Sequence, residues 1–334
     1  MTATVPMPLQ PRISLGAAGS PSSNAINYPK TYYELGWDFA AYAVGIPGDA
    51  PADMRGGWQD ARARLRARPP SRAVRKWLNL RYGALRRHRM VDASVTPELI
   101  DFITPEICPV TLEALTFATH ADTDWSVDRV ANCGGYARSN LAIVSVRANR
   151  AKGAKDIHEV LALGRRLMAA GGAEQGLDGR EWMRLAALMA GPSSIAEHRP
   201  FLVPQCTTLP VALAAGAAQI MQCVLLNEVL GQAPTSLLGR LREAGGQASA
   251  KRLHGFVQSM RHKAWRTAYP YDVWLEPGVF DRFVGWLHSL TAGQAQAAFS
   301  LMRRRYGCWK ESVTAEEAAQ AWGLETGGYA LETA

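Results

Sequence analysis

The stretch that decides the fold is residues 108–153, CPVTLEALTFATHADTDWSVDRVANCGGYARSNLAIVSVRANRAKG. Two segments within it, 126–131 and 141–146, are short and contain β-branched side chains, which is typical of strands. The sequence between them includes Asn-Cys-Gly-Gly at 132–135, a composition that favours a turn. Apolar residues then recur at helical spacing over 149–170. We therefore predict a two-stranded antiparallel hairpin with one helix packed across it.

This stretch resembles the HNH (ββα-metal) endonuclease superfamily, in the form seen in phage and mobile-element proteins. The family pattern has an Asp-His dipeptide on the first strand, a glycine in the turn and an Asn that opens the second strand. An Asn with a nearby Lys then opens the helix. The matching residues, in chain order, are Asp128, Arg129, Gly135, Tyr136, Asn140, Asn149 and Lys152. The resemblance covers about 46 of the 334 residues.

The resemblance implies a divalent-metal site, for Mg²⁺ or Mn²⁺, with Asp128 and Asn149 as ligands. A hard cation of this kind prefers oxygen ligands. It would bind the scissile phosphate and stabilise charge on the leaving oxygen. Asn140 would hold the turn through hydrogen bonds from its side chain to the backbone. Lys152 and Arg150, near the helix start, would contact flanking phosphates.

One position departs from the family pattern. The family's general base is a His directly after the ligand Asp, and this chain has Arg129 there. A guanidinium stays protonated in proteins, so Arg129 can bind phosphate but cannot activate water. His120 is the nearest upstream histidine that could act as the base instead, followed by His88.

Two functions therefore stay open at the level of sequence. The first is a metal-dependent endonuclease that hydrolyses phosphodiester bonds of DNA, with activity reduced by the loss of the His. The second is a catalytically inactive HNH-like module that binds DNA or RNA. Retention of both ligand positions favours the nuclease, and Arg129 favours the binding module.

Cysteine usage argues against a structural zinc. Cys108 begins the module in the sequence CPVT, as a zinc-knuckle cysteine does in many HNH relatives, but Thr111 occupies the position of its CxxC partner. The five cysteines of the chain are scattered and never form a CxxC pair. We expect Cys108 to be a buried thiol and the protein to be cytoplasmic, where thiols stay reduced.

Positive charge is concentrated on the N-terminal side of the module. The chain carries 37 Lys and Arg against 29 Asp and Glu, a net charge of +8. Residues 55–89 contain twelve basic residues and one acid, Asp60, whereas the rest of the chain is net negative. Such a segment favours a nucleic-acid partner, DNA more than RNA, although a solvated charged face is the alternative. The expected phosphate contacts are Arg68, Arg72, Arg75 and Lys76.

Residues 32–62 resemble a second family, the ribosome modulation factor, whose small helical hairpin binds ribosomal RNA. The residues that carry this resemblance are Gly36, Ala40, Gly45, Pro51, Arg55, Gly57 and Trp58. An ordinary helical hairpin with aromatic contacts is the alternative. Both interpretations predict two helices that pack against each other.

The whole chain is predicted to be mainly α, with one small ββα module. The expected regions are a disordered N-terminus (1–29), a basic helical nucleic-acid-binding region (30–105), the module (106–172) and a helical C-terminal domain (173–334). Helices are expected in the last region at 180–190, 210–231, 234–244, 249–265, 279–290 and 292–305. A final helix should begin at the capping-box pattern of Thr314 and Glu317.

The C-terminal helices carry no chemical motif, so we expect them to form a bundle for dimerisation or for docking to another protein. Their most apolar run, Val211 to Leu230, is interrupted by four polar residues and predicts a buried helix rather than a membrane span. The sequence therefore predicts no membrane partner.

Overall fold

The computed structural model describes residues 25–231, 236–306 and 314–332. The described chain is mainly helical, as predicted, and it contains three short strand pairs, of which the sequence predicted one. The prediction of disorder for residues 1–29 falls largely on residues 1–24, which lie outside the described residues. It is wrong for residues 25–29, because they form a strand and the first turn of a helix.

The described helices begin with α1 (Tyr28–Ala41), α2 (Ala52–Arg64), α3 (Arg72–Arg86), α4 (Pro97–Ile103), α5 (Val146–Lys152) and α6 (Ile157–Ala170). They continue with α7 (Gly179–Ala196), α8 (Ala217–Leu230), α9 (Ser236–Ala264), α10 (Val279–Leu287), α11 (Ala292–Tyr306) and α12 (Ala315–Trp322). The described strands are β1 (Ala25–Ile26), β2 (Trp125–Arg129), β3 (Leu141–Ser145), β4 (Ala173–Glu174), β5 (Leu177–Asp178) and β6 (Leu331–Glu332).

The predicted N-terminal hairpin is formed by α1 and α2, which pack unusually closely. A Cβ atom at Gly36 would lie 2.0 Å from the carbonyl oxygen of Met54. A Cβ atom at Gly57 would lie 2.0 Å from the carbonyl oxygen of Tyr33. Both glycines therefore permit backbone-to-backbone contact between the two helices. The hairpin is confirmed, whereas kinship with the ribosome modulation factor stays a prediction.

The predicted β-hairpin is confirmed: β2 and β3 pair antiparallel, with Asp128 opposite Ala142. The side chains of β3 are all buried because they alternate between two hydrophobic clusters. Ala142 and Val144 join the cluster of the C-terminal helices, whereas Leu141 and Ile143 join the cluster of α3 and α4. The hairpin therefore lies between two groups of helices and contributes side chains to the hydrophobic cluster of each.

The single helix predicted over 149–170 is wrong in one respect, because two helices occupy the segment. Gly153 ends α5 with φ 51° and ψ −125°, a conformation that is nearly restricted to glycine. A capping box then starts α6: Asp156 accepts from the backbone N–H of Glu159, and the Glu159 carboxylate accepts from that of Asp156. The short α5 packs against both strands.

The C-terminal helices follow the predicted order, with α8 beginning at Ala217 rather than at residue 210. The intervening irregular segment is held by three buried glutamines. Gln219 donates to the side chain of Gln205 (2.8 Å), and Gln222 accepts from the Gln205 backbone (2.8 Å). Gly246, with φ 72°, breaks α9 where two separate helices were predicted.

One hydrophobic cluster runs from Cys108 through the C-terminal helices to Met302. The predicted domain boundary at residue 172 therefore lies within a continuous core. Of the described helices, none has the length and apolar character needed to cross a membrane.

Residues after α11 pack against the turn between β2 and β3. We call residues 315–332 the C-terminal strap, and its last strand, β6, pairs parallel with β1. Trp322 in the strap is fully buried, and its carbonyl oxygen accepts from the Gly135 N–H at 2.7 Å. The Trp322 indole N–H donates to the carbonyl oxygen of Arg138 at 3.2 Å. The predicted capping box at Thr314 starts the strap helix.

Candidate functional site

Lys152 lies at the centre of the motif residues, where its side chain is completely buried. Its ammonium donates to Asp128 Oδ1 (3.1 Å), to the Arg129 carbonyl oxygen (2.7 Å) and to Asn132 Oδ1 (2.9 Å). These three acceptors match the three N–H groups of an ammonium. Lys152 therefore has no accessible surface for a phosphate, which corrects the role expected from the sequence.

The Asp128 carboxylate is buried and ion-paired with this ammonium. Burial raises the pKa of Asp128 because the charged form loses its hydration. Lys152 and Arg129 act in the opposite direction by stabilising the charged form. The carboxylate predicted as a metal ligand thus already has an internal cation as its partner.

Arg129 directs its guanidinium into the turn between the strands. It donates to the carbonyl oxygens of Asn132 (3.0 Å) and Gly134 (2.7 Å) and lies over the ring of Tyr136, 5.2 Å from the ring centre. The Tyr136 hydroxyl accepts from Arg87 at 3.0 Å. Arg129 therefore holds the turn that the family's glycine and tyrosine positions define.

Asn140 fastens the same turn from the second strand. Its side-chain oxygen accepts from the Ala131 N–H (2.8 Å), and its amide donates to the carbonyl oxygens of Ala131 (3.1 Å) and Gly135 (3.0 Å). The side chain is fully buried. This is the role that the sequence pattern predicted for Asn140.

Asn149 faces β2 from α5. Its amide donates to the Ser126 hydroxyl at 2.7 Å. Ser126 and Asp128 share one face of β2 because side chains alternate along a strand, and Asn149 and Lys152 share one side of α5 because they are three residues apart. Asp128 and Asn149 are therefore on the same side of the module.

These residues, as arranged, do not fit a resident divalent cation. Such a cation takes about six oxygen ligands, of which one or two are usually protein carboxylates. Asp128 is the acidic member of the motif, and the Lys152 ammonium 3.1 Å away occupies one of its oxygens. A second cation would be placed beside a buried positive charge. Among the described residues, no three His, Cys, Asp or Glu side chains are grouped to hold a metal.

His120, the candidate alternative base, lies in a loop organised by a different residue, Asp124. The His120 side chain is exposed, and its backbone N–H donates to Asp124 Oδ2 at 2.9 Å. Asp124 also accepts from the hydroxyls of Thr116 and Thr119, both at 2.7 Å. These hydrogen bonds, that of Thr116 first, lower the pKa of Asp124 to about 2. Sequence reasoning missed Asp124, although three threonines within the preceding eight residues were a usable signal.

Cys108 is fully buried, as expected, and links the turn at residues 108–111 to the end of β3. Its sulfur accepts from the backbone N–H groups of Ser145 (3.2 Å) and Thr111 (3.5 Å). The thiol thus holds the CPVT turn through hydrogen bonds.

Six exposed arginines lie close together in the sequence, from the end of α2 to the start of α3. We call this group the arginine ridge, and its members are Arg62, Arg64, Arg66, Arg68, Arg72 and Arg75. The sequence contains no acidic residue from Ala61 to Val91. Arg72 lies over the ring of Phe117, 5.6 Å from its centre, so the ridge adjoins the loop before β2. The exposed Arg150, paired with Asp122 at 3.0 Å, is a further surface cation of the module.

Lys76, expected on this surface, is instead a link between α3 and the hairpin. Its ammonium donates to the Trp125 carbonyl oxygen and lies 4.9 Å from the centre of the Trp125 ring. Burial lowers the pKa of Lys76. The part of the expected contact set that stays accessible is Arg68, Arg72 and Arg75.

No family model, curated protein or solved structure matches this chain. The HNH resemblance therefore depends on the residue pattern and on the hairpin-and-helix geometry described above.

Proposed function

We propose that this chain is a nucleic-acid-binding protein whose HNH-like module is a catalytically inactive frame. The observation that carries the proposal is the buried Lys152 ammonium on the Asp128 carboxylate. A metal-dependent nuclease needs this carboxylate free to bind its cation. Here the Lys152 ammonium occupies one oxygen of this carboxylate. It also links β2 and the turn that follows it to α5.

Conversion of this arrangement to a metal site would be costly. Breaking a buried ion pair by removing one partner typically costs about 3–5 kcal/mol. If the Lys152 ammonium moved away to admit a metal, the Arg129 carbonyl oxygen and the Asn132 side-chain oxygen would also lose their hydrogen-bond donor. Arg129 itself cannot accept a proton, since a guanidinium stays charged. The module's polar residues therefore support a structural role.

The arginine ridge supports the binding half of the proposal. Its guanidinium groups are exposed, whereas the described ion pairs of this region belong to other arginines, Arg81 with Asp38 and Arg86 with Asp49. A duplex releases roughly 0.9 counterions for each phosphate that a cation neutralises. Binding through the ridge should therefore weaken steeply as salt is added.

The binding test compares Arg72→Glu and Arg75→Glu with Arg165→Glu, an exposed arginine on α6. Each ridge variant should lower duplex affinity and reduce the slope of log affinity against log salt by about one. The control should leave both unchanged. Fluorescence anisotropy over a salt series measures both quantities. Equal slopes for wild type and the ridge variants would assign the ridge to a merely solvated face.

The catalytic test incubates supercoiled plasmid, linear DNA and structured RNA with wild type, Arg129→His and Asp128→Ala, in Mg²⁺ or Mn²⁺ and in EDTA. We expect binding without cleavage by any of the three proteins. Metal-dependent nicking that disappears in Asp128→Ala would instead establish the nuclease. In that case the Arg129→His variant should cut faster, since a general base is worth roughly 10²- to 10⁴-fold.

A further inference from the structure

A second basic segment lies in the C-terminal half, far along the chain from the arginine ridge. Residues 244–271 contain five Lys and Arg residues, two His and no acidic residue. The segment covers the second part of α9 and the turn that follows it. Trp265, directly after the helix, has 83% of its surface exposed, the highest value among the exposed large apolar side chains of the described residues.

Exposed cationic residues flank Trp265 in the sequence. Arg261 lies one helical turn before Trp265, Arg266 follows it, and both side chains are exposed. His262 is exposed on the same turn. Lys263 is the exception, because its ammonium donates to the carbonyl oxygen of Pro277. Trp265 is therefore an exposed indole with an exposed arginine on each side of it in the sequence.

The composition of this patch restricts its partner. An apolar protein interface or a membrane surface needs several adjacent apolar side chains. The other exposed large apolar side chains lie in other parts of the sequence: Tyr33, Leu65, Ile107, Met168, Leu230, Tyr329 and Leu331. A lone exposed ring with cationic sequence neighbours instead suits a polyanion that offers flat rings of its own. Unpaired bases joined by phosphates meet that description.

We propose that Trp265 and its neighbouring arginines form a contact site for single-stranded nucleic acid. Trp265 stacks on an unpaired base, and Arg261 and Arg266 bind the phosphates on either side. A duplex buries its base faces in its own stack and offers only phosphates to this patch. The inference rests on the proposed nucleic-acid function and goes further by naming the single-stranded form.

The test measures anisotropy of the full chain with a fluorescein-labelled oligothymidylate of about 20 nucleotides and with a hairpin duplex. Trp265→Ala should weaken oligothymidylate binding by roughly 5- to 150-fold, the usual loss of one base-stacking ring, and leave duplex binding unchanged. Trp265→Phe should retain most of the affinity because it keeps a ring. Indole fluorescence should be quenched by oligothymidylate in wild type and much less in Trp265→Phe.

The possible results separate this inference from the proposed function. If wild type binds neither probe, both fail. If it binds both and Trp265→Ala binds oligothymidylate as tightly as wild type does, only the stacking site is overturned. A parallel measurement uses vesicles that contain phosphatidylserine. Loss of vesicle binding in Trp265→Ala, with oligothymidylate affinity unchanged, would assign the patch to lipid and also overturn the inference.

Discussion

At the scale of single residues, two buried carboxyl groups four positions apart have pKa values that are shifted in opposite directions. Asp124 receives hydrogen bonds from Thr116, Thr119 and the His120 backbone, and these lower its pKa to about 2. Burial dominates at Asp128 and raises its pKa despite the nearby Lys152. The number of hydrogen bonds that reach the charged form therefore decides the direction, rather than burial alone.

Asp124 should make the stability of the protein depend on acid pH. A carboxyl whose pKa is lowered in the folded state stabilises that state above its unfolded pKa, and the contribution is lost as the pH falls. Wild type should therefore lose stability as the pH falls from 3.8 towards about 2. Asp124→Asn should be less stable near neutral pH and should lose less stability across that interval. Urea unfolding at a series of pH values measures both effects.

Asp122→Asn is the matched control, because Asp122 is exposed and pairs only at the surface with Arg150. The stability of this variant should vary with pH as that of wild type does. If the stability of Asp124→Asn varied with pH as that of wild type does, Asp124 would not be the cause of the acid-dependent loss of stability.

The residue patterns predicted contacts between residues near in sequence better than contacts that depend on how helices and strands pack. Asn140 was assigned correctly to the turn because its side-chain hydrogen bonds reach residues 131 and 135, which the motif itself contains. Lys152 was placed on phosphate because the family pattern has an Asn with a nearby Lys at the start of the helix. Its burial depends on how α5 crosses β2, and a linear pattern does not specify that crossing.

At the scale of elements, the α1–α2 hairpin depends on the absence of side chains. Gly57→Ala would place a methyl group 2.0 Å from the Tyr33 carbonyl oxygen, so the two helices would have to separate. We expect the free energy of unfolding to fall by about 1–3 kcal/mol or more. Gly56→Ala is the matched control, since a Cβ at Gly56 meets nothing within 4 Å.

The control should be neutral or stabilise the protein by up to about 1 kcal/mol, because alanine is the better helix former. Chemical denaturation of the two variants measures both values. Equal effects at the two neighbouring positions would disprove close packing between the helices.

Helices and strands were predictable where the residues that mark them are adjacent in the sequence. The hairpin was placed correctly because strand composition and turn residues adjoin in sequence. The division of one predicted helix into α5 and α6 was missed because periodicity alone does not reveal the backbone conformation at Gly153. The capping pair Asp156 and Glu159 was visible in the sequence and would have placed the second start.

At the scale of the whole molecule, the hairpin is stabilised from three sides: by α3 and α4, by the C-terminal helices and by the strap. The first contact involves neighbouring sequence, whereas the strap returns from nearly 200 residues away. Composition and periodicity carry no information about such a return. The strap and its pairing with β1 were therefore beyond prediction from the sequence.

Trp322 should be the main anchor of the strap. Trp322→Ala should lower the free energy of unfolding by about 3–5 kcal/mol, the usual cost of removing a buried tryptophan. Trp265→Ala offers a matched control, because the same change at an exposed position should stay within about 0.5 kcal/mol. Thermal and urea unfolding compare the two. A small effect at Trp322 would show that the strap adds little to the fold.

The distant origin of Trp322 also has a consequence during synthesis on the ribosome. About 170 residues separate Gly153 from Trp322. At roughly 5–20 residues per second, the module leaves the ribosome roughly 10–30 s before its cover does. During that interval the Gly134–Gly135 turn and the apolar surface under Trp322 are open in the nascent chain. A chaperone that binds short apolar segments can reach this turn until Trp322 has emerged and covers it.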